Sequence, residues 1–180
     1  MGFVDILKKH QSVILERWVQ LVLETYPSDS TLLLNREKDR FLNPTGHTLR
    51  QEADALLKGL LDGEDMGKLS VSLDRILRIR AIQDFVPSQA VGFIPLLKKA
   101  IEEILEKKVE AKPGLEEWLK FQDRIDALLF RAFDLYVGCK EQVYELRVRQ
   151  EKVQREMLVR VLQHAGLSGK NDGNEEDVKS

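Results

Sequence analysis

The sequence predicts an all-α fold, and three observations carry that prediction. Apolar residues recur at steps of three and four along most of the 180 residues, with proline- or glycine-bearing breaks between the periodic stretches. No stretch of useful length alternates with the period of two that a strand needs, and no internal repeat is present. The last third of the chain, from Pro113 to about His164, reads as a single helix. There Trp118, Gln122, Ile125, Leu129, Ala132, Tyr136, Cys139, Val143, Leu146, Gln150, Val153 and Met157 alternate steps of three and four, and most are apolar.

The first helix is predicted over Phe3 to Tyr26, with Ile6, Leu7, His10, Val13, Ile14, Trp18, Leu21, Val22 and Tyr26 on one face, and Pro27-Ser28-Asp29 ends it. A short segment with Leu32, Leu33 and Leu34 and the charged run Arg36 to Arg40 follows. Asn43-Pro44-Thr45-Gly46 has the composition of a turn. The second helix covers about Thr45 to Leu61, capped by Thr45, with Leu49, Ala53, Leu56, Leu57 and Leu60 inward; Asp62-Gly63 stops it. The third spans about Ser70 to Phe85 through Val71, Leu73, Ile76, Leu77, Ile79 and Ile82.

Val86-Pro87-Ser88 breaks the chain. A fourth helix runs from there to about Lys108, burying Val91, Phe93, Ile94, Leu97, Ile101, Ile104 and Leu105, with a kink expected at Pro95 because proline removes a donor and crowds the preceding turn. Ala111 to Gly114 links to the long helix, where Pro113 suits the first turn and Gly166 the end. A helix of about 50 residues would extend about 75 Å, more than a domain of this size buries, so part of it is expected to project. The expected organisation is one helical domain over residues 1–165, with 113–165 as the long helix, and a disordered, nearly apolar-free tail over 166–180.

Composition removes several function classes. The 28 basic and 30 acidic residues nearly cancel, leaving a formal charge of −2 and no electrostatic drive toward nucleic acid. A single cysteine rules out an intrachain disulfide and fits a reducing cytoplasm. The N-terminus lacks the layout of a secretory signal, and Ile6 stands where a myristoylation site requires Ser or Thr. No apolar run approaches the length of a membrane span, so no membrane insertion is expected.

Chemistry-bearing residues are sparse. Arg78, Arg80, Gln83 and Asp84, followed by Ser88 and Gln89, form the densest polar cluster inside an apolar stretch. They could line a pocket for a small anion or a partner's carboxylate. The simpler reading pairs Arg80 with Asp84 four residues on and uses Ser88 and Gln89 at a helix start. The stretch Asp39 to His47 is either a functional loop or a capped helix entry. His10, His47 and His164 are too dispersed for a metal site, so none is expected. Cys139 sits on the apolar seam, where cysteine behaves as a small hydrophobe. Asp123, Asp126 and Asp134 with Arg124 and Arg131 read as charged flanks of that seam, and no Gly-rich phosphate loop is present. No catalytic constellation stands out, and a non-enzymatic role is expected.

Trp18, Tyr26-Pro27, Asp39-Arg40-Phe41, Asn43-Pro44, Gly46-His47, the block RIRAIQDFVPSQAVGF (Arg78 to Phe93), Arg124-Ile125-Asp126 and Ala132-Phe133-Asp134 with Tyr136 and Cys139 together resemble the RsbRD N-terminal domain family. This is the sensor-like module of RsbT co-antagonist proteins. The resemblance covers about Phe3 to Leu162, and the block from Arg78 to Phe93 is its most specific part. It implies a helical domain like a globin without haem, joined by a helix to a STAS domain that takes part in phosphorylation-dependent partner switching, and the expected architecture is a globin-like bundle of five or six helices ending in a projecting helix. No STAS-like region follows the helix here, so the resemblance implies a stand-alone sensor or adaptor in stress-response signalling. A haem globin needs a proximal histidine ahead of its final two long helices. Ser70 to Leu105 contains none, which leaves His47 as an unconventional candidate and no haem or other cofactor expected.

Cys139, Val143, Leu146, Gln150, Val153, Met157 and Val161 are then the expected interface of a homodimer or of an unidentified protein partner, because exposing that line to water is costly. Gln150 within it would weaken packing but help fix register.

Overall fold

Seven helices make up the regular structure of the described residues, which are 2–26, 44–108 and 114–168 in this computed structural model. Among those residues no strand occurs. The chain divides into two compact units, Met1–Lys140 and Glu141–Ser180, and the first contains the hydrophobic core.

Two helices, α1 (Phe3–Lys9) and α2 (Gln11–Leu23), stand where the spacing predicts one. The break is at His10 (φ −106°, ψ 10°), whose amide donates to both the Ile6 and the Leu7 carbonyl and so tightens the last turn of α1. Beyond the break α2 buries Ile14, Trp18, Val19, Leu21 and Val22, and it stops at Leu23, with buried Tyr26 carried on a turn. On α1, Phe3 meets Trp118 and Phe121 edge-to-face with centroids 5.7 and 5.8 Å apart.

Helix α3 (Pro44–Leu61) buries Leu49, Ala53, Leu56, Leu57 and Leu60, as its spacing predicts. It starts at Pro44, whose fixed φ suits a first turn, so Thr45 lies inside that turn and is not the cap. Gly63 ends it at φ 75°, with the Glu64 amide donating back to the Gly59 carbonyl at 2.9 Å. This left-handed closure is open to glycine at no steric cost. α3 packs on α2 and on α4 (Met66–Ile82).

Asp65 caps α4 by accepting from the Lys68 amide at 3.1 Å, so the helix begins a turn earlier than its apolar pattern suggests and ends at Ile82 rather than Phe85. Its inward line is Leu69, Leu73, Ile76, Leu77 and Arg80. Val71 and Ile82, expected inward, are 55% and 69% exposed because each lies two residues from that line. Ile79 is half-buried.

The predicted fourth helix is two helices. α5 (Pro87–Val91) and α6 (Pro95–Lys108) are separated by Gly92, Phe93 and Ile94, and Pro95 opens α6 instead of kinking a continuous helix. Phe93 and Ile94 stay buried in that turn, so the apolar rhythm runs on across the break. Ser88 and Gln89 do not cap: the cap position of α5 is Val86, with no side-chain cap bond. α6 packs on α2, and the Arg17 guanidinium grips the Glu103 carboxylate with two bonds of 2.6 and 3.1 Å.

Helix α7 (Leu115–Ser168) is 54 residues long and runs through Gly166 rather than ending there. Residues 166–168, expected in the tail, are therefore helical. In the first unit its buried line is Phe121, Ile125, Leu128, Ala132, Tyr136 and Cys139, while Trp118, Gln122 and Leu129 are half-buried. The expectations for Pro27 to Asn43, for Ala111 to Pro113 and for 169–180 lie outside the described residues. No described helix is long and apolar enough to cross a membrane.

Candidate functional site

The cluster singled out in the sequence does not converge side chain to side chain. Arg78 is exposed and pairs with Asp74, four residues earlier, at 2.7 Å. Gln83, Asp84, Ser88 and Gln89 are exposed as well. Arg80 alone of the six is buried, at 0% exposure. It does not pair with Asp84, because α4 has already ended: Asp84 sits at φ 58° beyond the helix and reaches Lys140 at 3.0 Å.

Arg80 is held by neutral groups. One terminal nitrogen donates to the Gln89 carbonyl at 2.9 Å and the other to the Thr25 hydroxyl at 3.3 Å. The rings of Tyr26, Phe85 and Phe93 stand 5.0, 4.7 and 5.3 Å from the guanidinium carbon, near enough for cation–π attraction. Nε makes no close hydrogen bond, the buried Tyr26 hydroxyl interacts with the guanidinium, and no carboxylate pairs with Arg80 among the described residues. Burial pushes the Arg80 guanidinium below the ordinary arginine range, partly offset by Tyr26, and the same burial raises the Tyr26 phenol.

The cage is built from four stretches. Thr25 and Tyr26 come from the turn after α2, and Phe85 and Gln89 flank and begin α5. Phe93 lies in the turn before α6, where its carbonyl accepts from the Trp18 indole at 2.7 Å and its ring stacks on Trp18. Tyr136 on α7 donates its hydroxyl to the Phe85 carbonyl.

Of the charged residues expected to flank the seam, Asp123 and Asp134 are exposed, while Arg124, Asp126 and Arg131 tie α7 to other helices. Arg124 donates to the Leu60 and Glu64 carbonyls at 3.1 and 2.8 Å, Lys98 pairs with Asp126 at 2.7 Å, and Arg131 donates to the Ser70 hydroxyl at 3.0 Å. Cys139, expected at the interface, is buried against α4 with its thiol 3.8 Å from Asp74, so it is unavailable to a partner. Burial raises that thiol above its ordinary range.

The second unit is different in kind. Val143 is half-buried, and every other side chain from Glu141 to Ala165 is exposed, Leu146, Gln150, Val153, Met157 and Val161 included. Met157 and Val161 are 62% and 63% exposed. A second apolar line lies outside the predicted seam: Phe130, Phe133 and Val137 are exposed on α7 in the first unit, at the three-four spacing that marks one helix face. Of the histidines, His47 and His164 are exposed and His10 is half-buried, and no cluster of three or more potential metal ligands occurs among the described residues.

The model of the RsbT co-antagonist protein rsbRD N-terminal domain matches residues 12–151. The chain belongs to that family. The match takes in the whole Arg80 cage and runs into the second unit, ending before Val153, Met157 and Val161. A protein of Archaeoglobus fulgidus, described as uncharacterized, is 27% identical over 156 residues, which are 86% of this chain and 93% of that one. No solved structure matches the chain. In this rsbRD N-terminal domain the stretch from Arg78 to Phe93 has a physical centre, because Phe85, Phe93 and the Gln89 carbonyl all meet at the buried Arg80.

Proposed function

We propose that this rsbRD-type domain is a non-enzymatic regulatory module of stress-response signalling that works by protein–protein contact. The second unit is its output surface, and a homodimer is the default assembly. The observation that carries the reading is the exposure of Leu146, Val153, Met157 and Val161 on a helix with almost nothing buried beyond Lys140. Burying such a side chain is worth about 1.5–3 kcal/mol, so a line of four favours association. Gln150 on the same line would favour one register over slipped alternatives. Family membership supports the signalling role, and the even charge balance supports a protein partner over nucleic acid. The module acts in the cytoplasm and needs no cofactor or haem in this reading.

Light scattering on the full chain tests it. The wild type is expected to be a dimer, and Leu146→Asp combined with Met157→Asp is expected to be a folded monomer with unchanged helical signal. A monomeric wild type, or a dimer that survives both substitutions, would count against the interface.

A further inference from the structure

We propose that Asp84 and Lys140 form a releasable clasp, kept at a cost to stability, that couples the turn after α4 to the last turn of α7 held by the core. This goes beyond the interface proposed above and does not depend on what the second unit contacts.

The backbone carries the first sign. Among the described residues Asp84 is the only one other than glycine with a positive φ, 58°. Its amide donates to the Ala81 carbonyl and that of Phe85 to the Arg80 carbonyl, both at 3.4 Å, so Asp84 stands at the left-handed position that closes a helix. Aspartate enters that region more readily than most residues, but glycine enters it at no steric cost. The charge is unfavourable as well, because a carboxylate at a helix C-terminus meets the negative end of the dipole. Backbone and charge both disfavour aspartate here.

What the residue gains is Lys140. The Lys140 ammonium donates to the Asp84 carboxylate at 3.0 Å, and the lysine side chain is 16% exposed against 57% for the aspartate. A pair with one partner so open to water adds little stability. Local conformation is thus given up for position, the pattern expected of a contact with a mechanical role. Tyr136 lies one turn before Lys140 on α7 and donates to the Phe85 carbonyl, so adjacent residues of the turn are gripped by adjacent turns of the helix. Lys140 is also the last residue of the first unit, and among 141–165 only Val143 is even half-buried. The clasp therefore sits where the core's hold on α7 ends, and its exposed carboxylate is open to screening by salt.

Urea titration and amide hydrogen exchange of the full chain, at one protein concentration, test it together. Asp84→Gly frees the backbone and removes the charge. Its unfolding midpoint should rise while exchange of 137–142 quickens about three- to fivefold. Lys140→Met keeps the packed stem and removes the ammonium but not the strain, so its midpoint should fall with the same quickening. The two substitutions together should quicken exchange no further than either alone. Added salt should quicken the same amides in the wild type and spare Asp84→Gly. A lower midpoint in Asp84→Gly overturns the proposal, because the aspartate would then be present for stability. Unchanged exchange at 137–142 overturns it as well, since the pair would not be holding α7, and an equal effect of salt on both proteins overturns its release.

Discussion

The hydroxyl of Tyr136 on α7 donates to the backbone carbonyl of Phe85, the residue whose ring lies 4.7 Å from the Arg80 guanidinium carbon. One hydrogen bond thus joins the core-facing side of the long helix to the turn that closes the Arg80 cage.

Tyr136→Phe removes the donor and leaves a carbonyl short of a partner, which costs about 1–3 kcal/mol. A urea titration should show a lower midpoint with an unchanged slope. An unchanged midpoint would mean that the bond adds nothing to the fold.

The phase of α7 makes a sharper contrast. Ile125 is fully buried and Phe130, five residues on, is 72% exposed. Ile125→Ala should cost about 2–5 kcal/mol, whereas Phe130→Ala should stay within about 0.5 kcal/mol. Comparable losses at the two positions would show that the helix is rotated from the phase described here.

The Arg17–Glu103 pair sets a pH dependence. The Arg17 guanidinium holds the Glu103 carboxyl below its ordinary value of 4.5. Glu103 therefore contributes stability that is present above that value and lost as pH falls through the lower folded pKa. Wild type should be more stable than Glu103→Gln at neutral pH, and the difference should vanish in strong acid. A difference that persists in acid would assign it to shape instead of charge.

Cys139 is buried, and its thiol is raised by burial and by Asp74. In the folded protein it should react with a thiol reagent far more slowly than in urea, since the thiolate is the reactive form. Equal rates would place it at the surface.

Much of this was legible in the sequence, for reasons that can be named. Leu49, Ala53, Leu56, Leu57 and Leu60 were readable because one uninterrupted amphipathic helix carries them and Gly63 ends it. The break before Pro95 was hidden because Phe93 and Ile94 stay buried in the turn and keep the apolar rhythm going. The break at His10 leaves no compositional mark, being made by backbone dihedrals alone. Arg80 stands seven, four and three residues after Leu73, Ile76 and Leu77, on the buried line of α4, while Arg78 does not. That phase is the sequence signal that separates the two arginines, and their place side by side in one polar cluster hides it. The seam itself, from Cys139 to Val143, shows no change in spacing where burial gives way to exposure, because burial depends on what other elements cover the helix.

Amide hydrogen exchange at two protein concentrations tests the central claim most directly. A helix with so little buried along it opens readily unless a partner covers it. Protection of 141–165 is expected to rise with protein concentration, while that of 115–140 stays constant. Protection of 141–165 that is the same at both concentrations would contradict the assignment of this segment as a self-association surface.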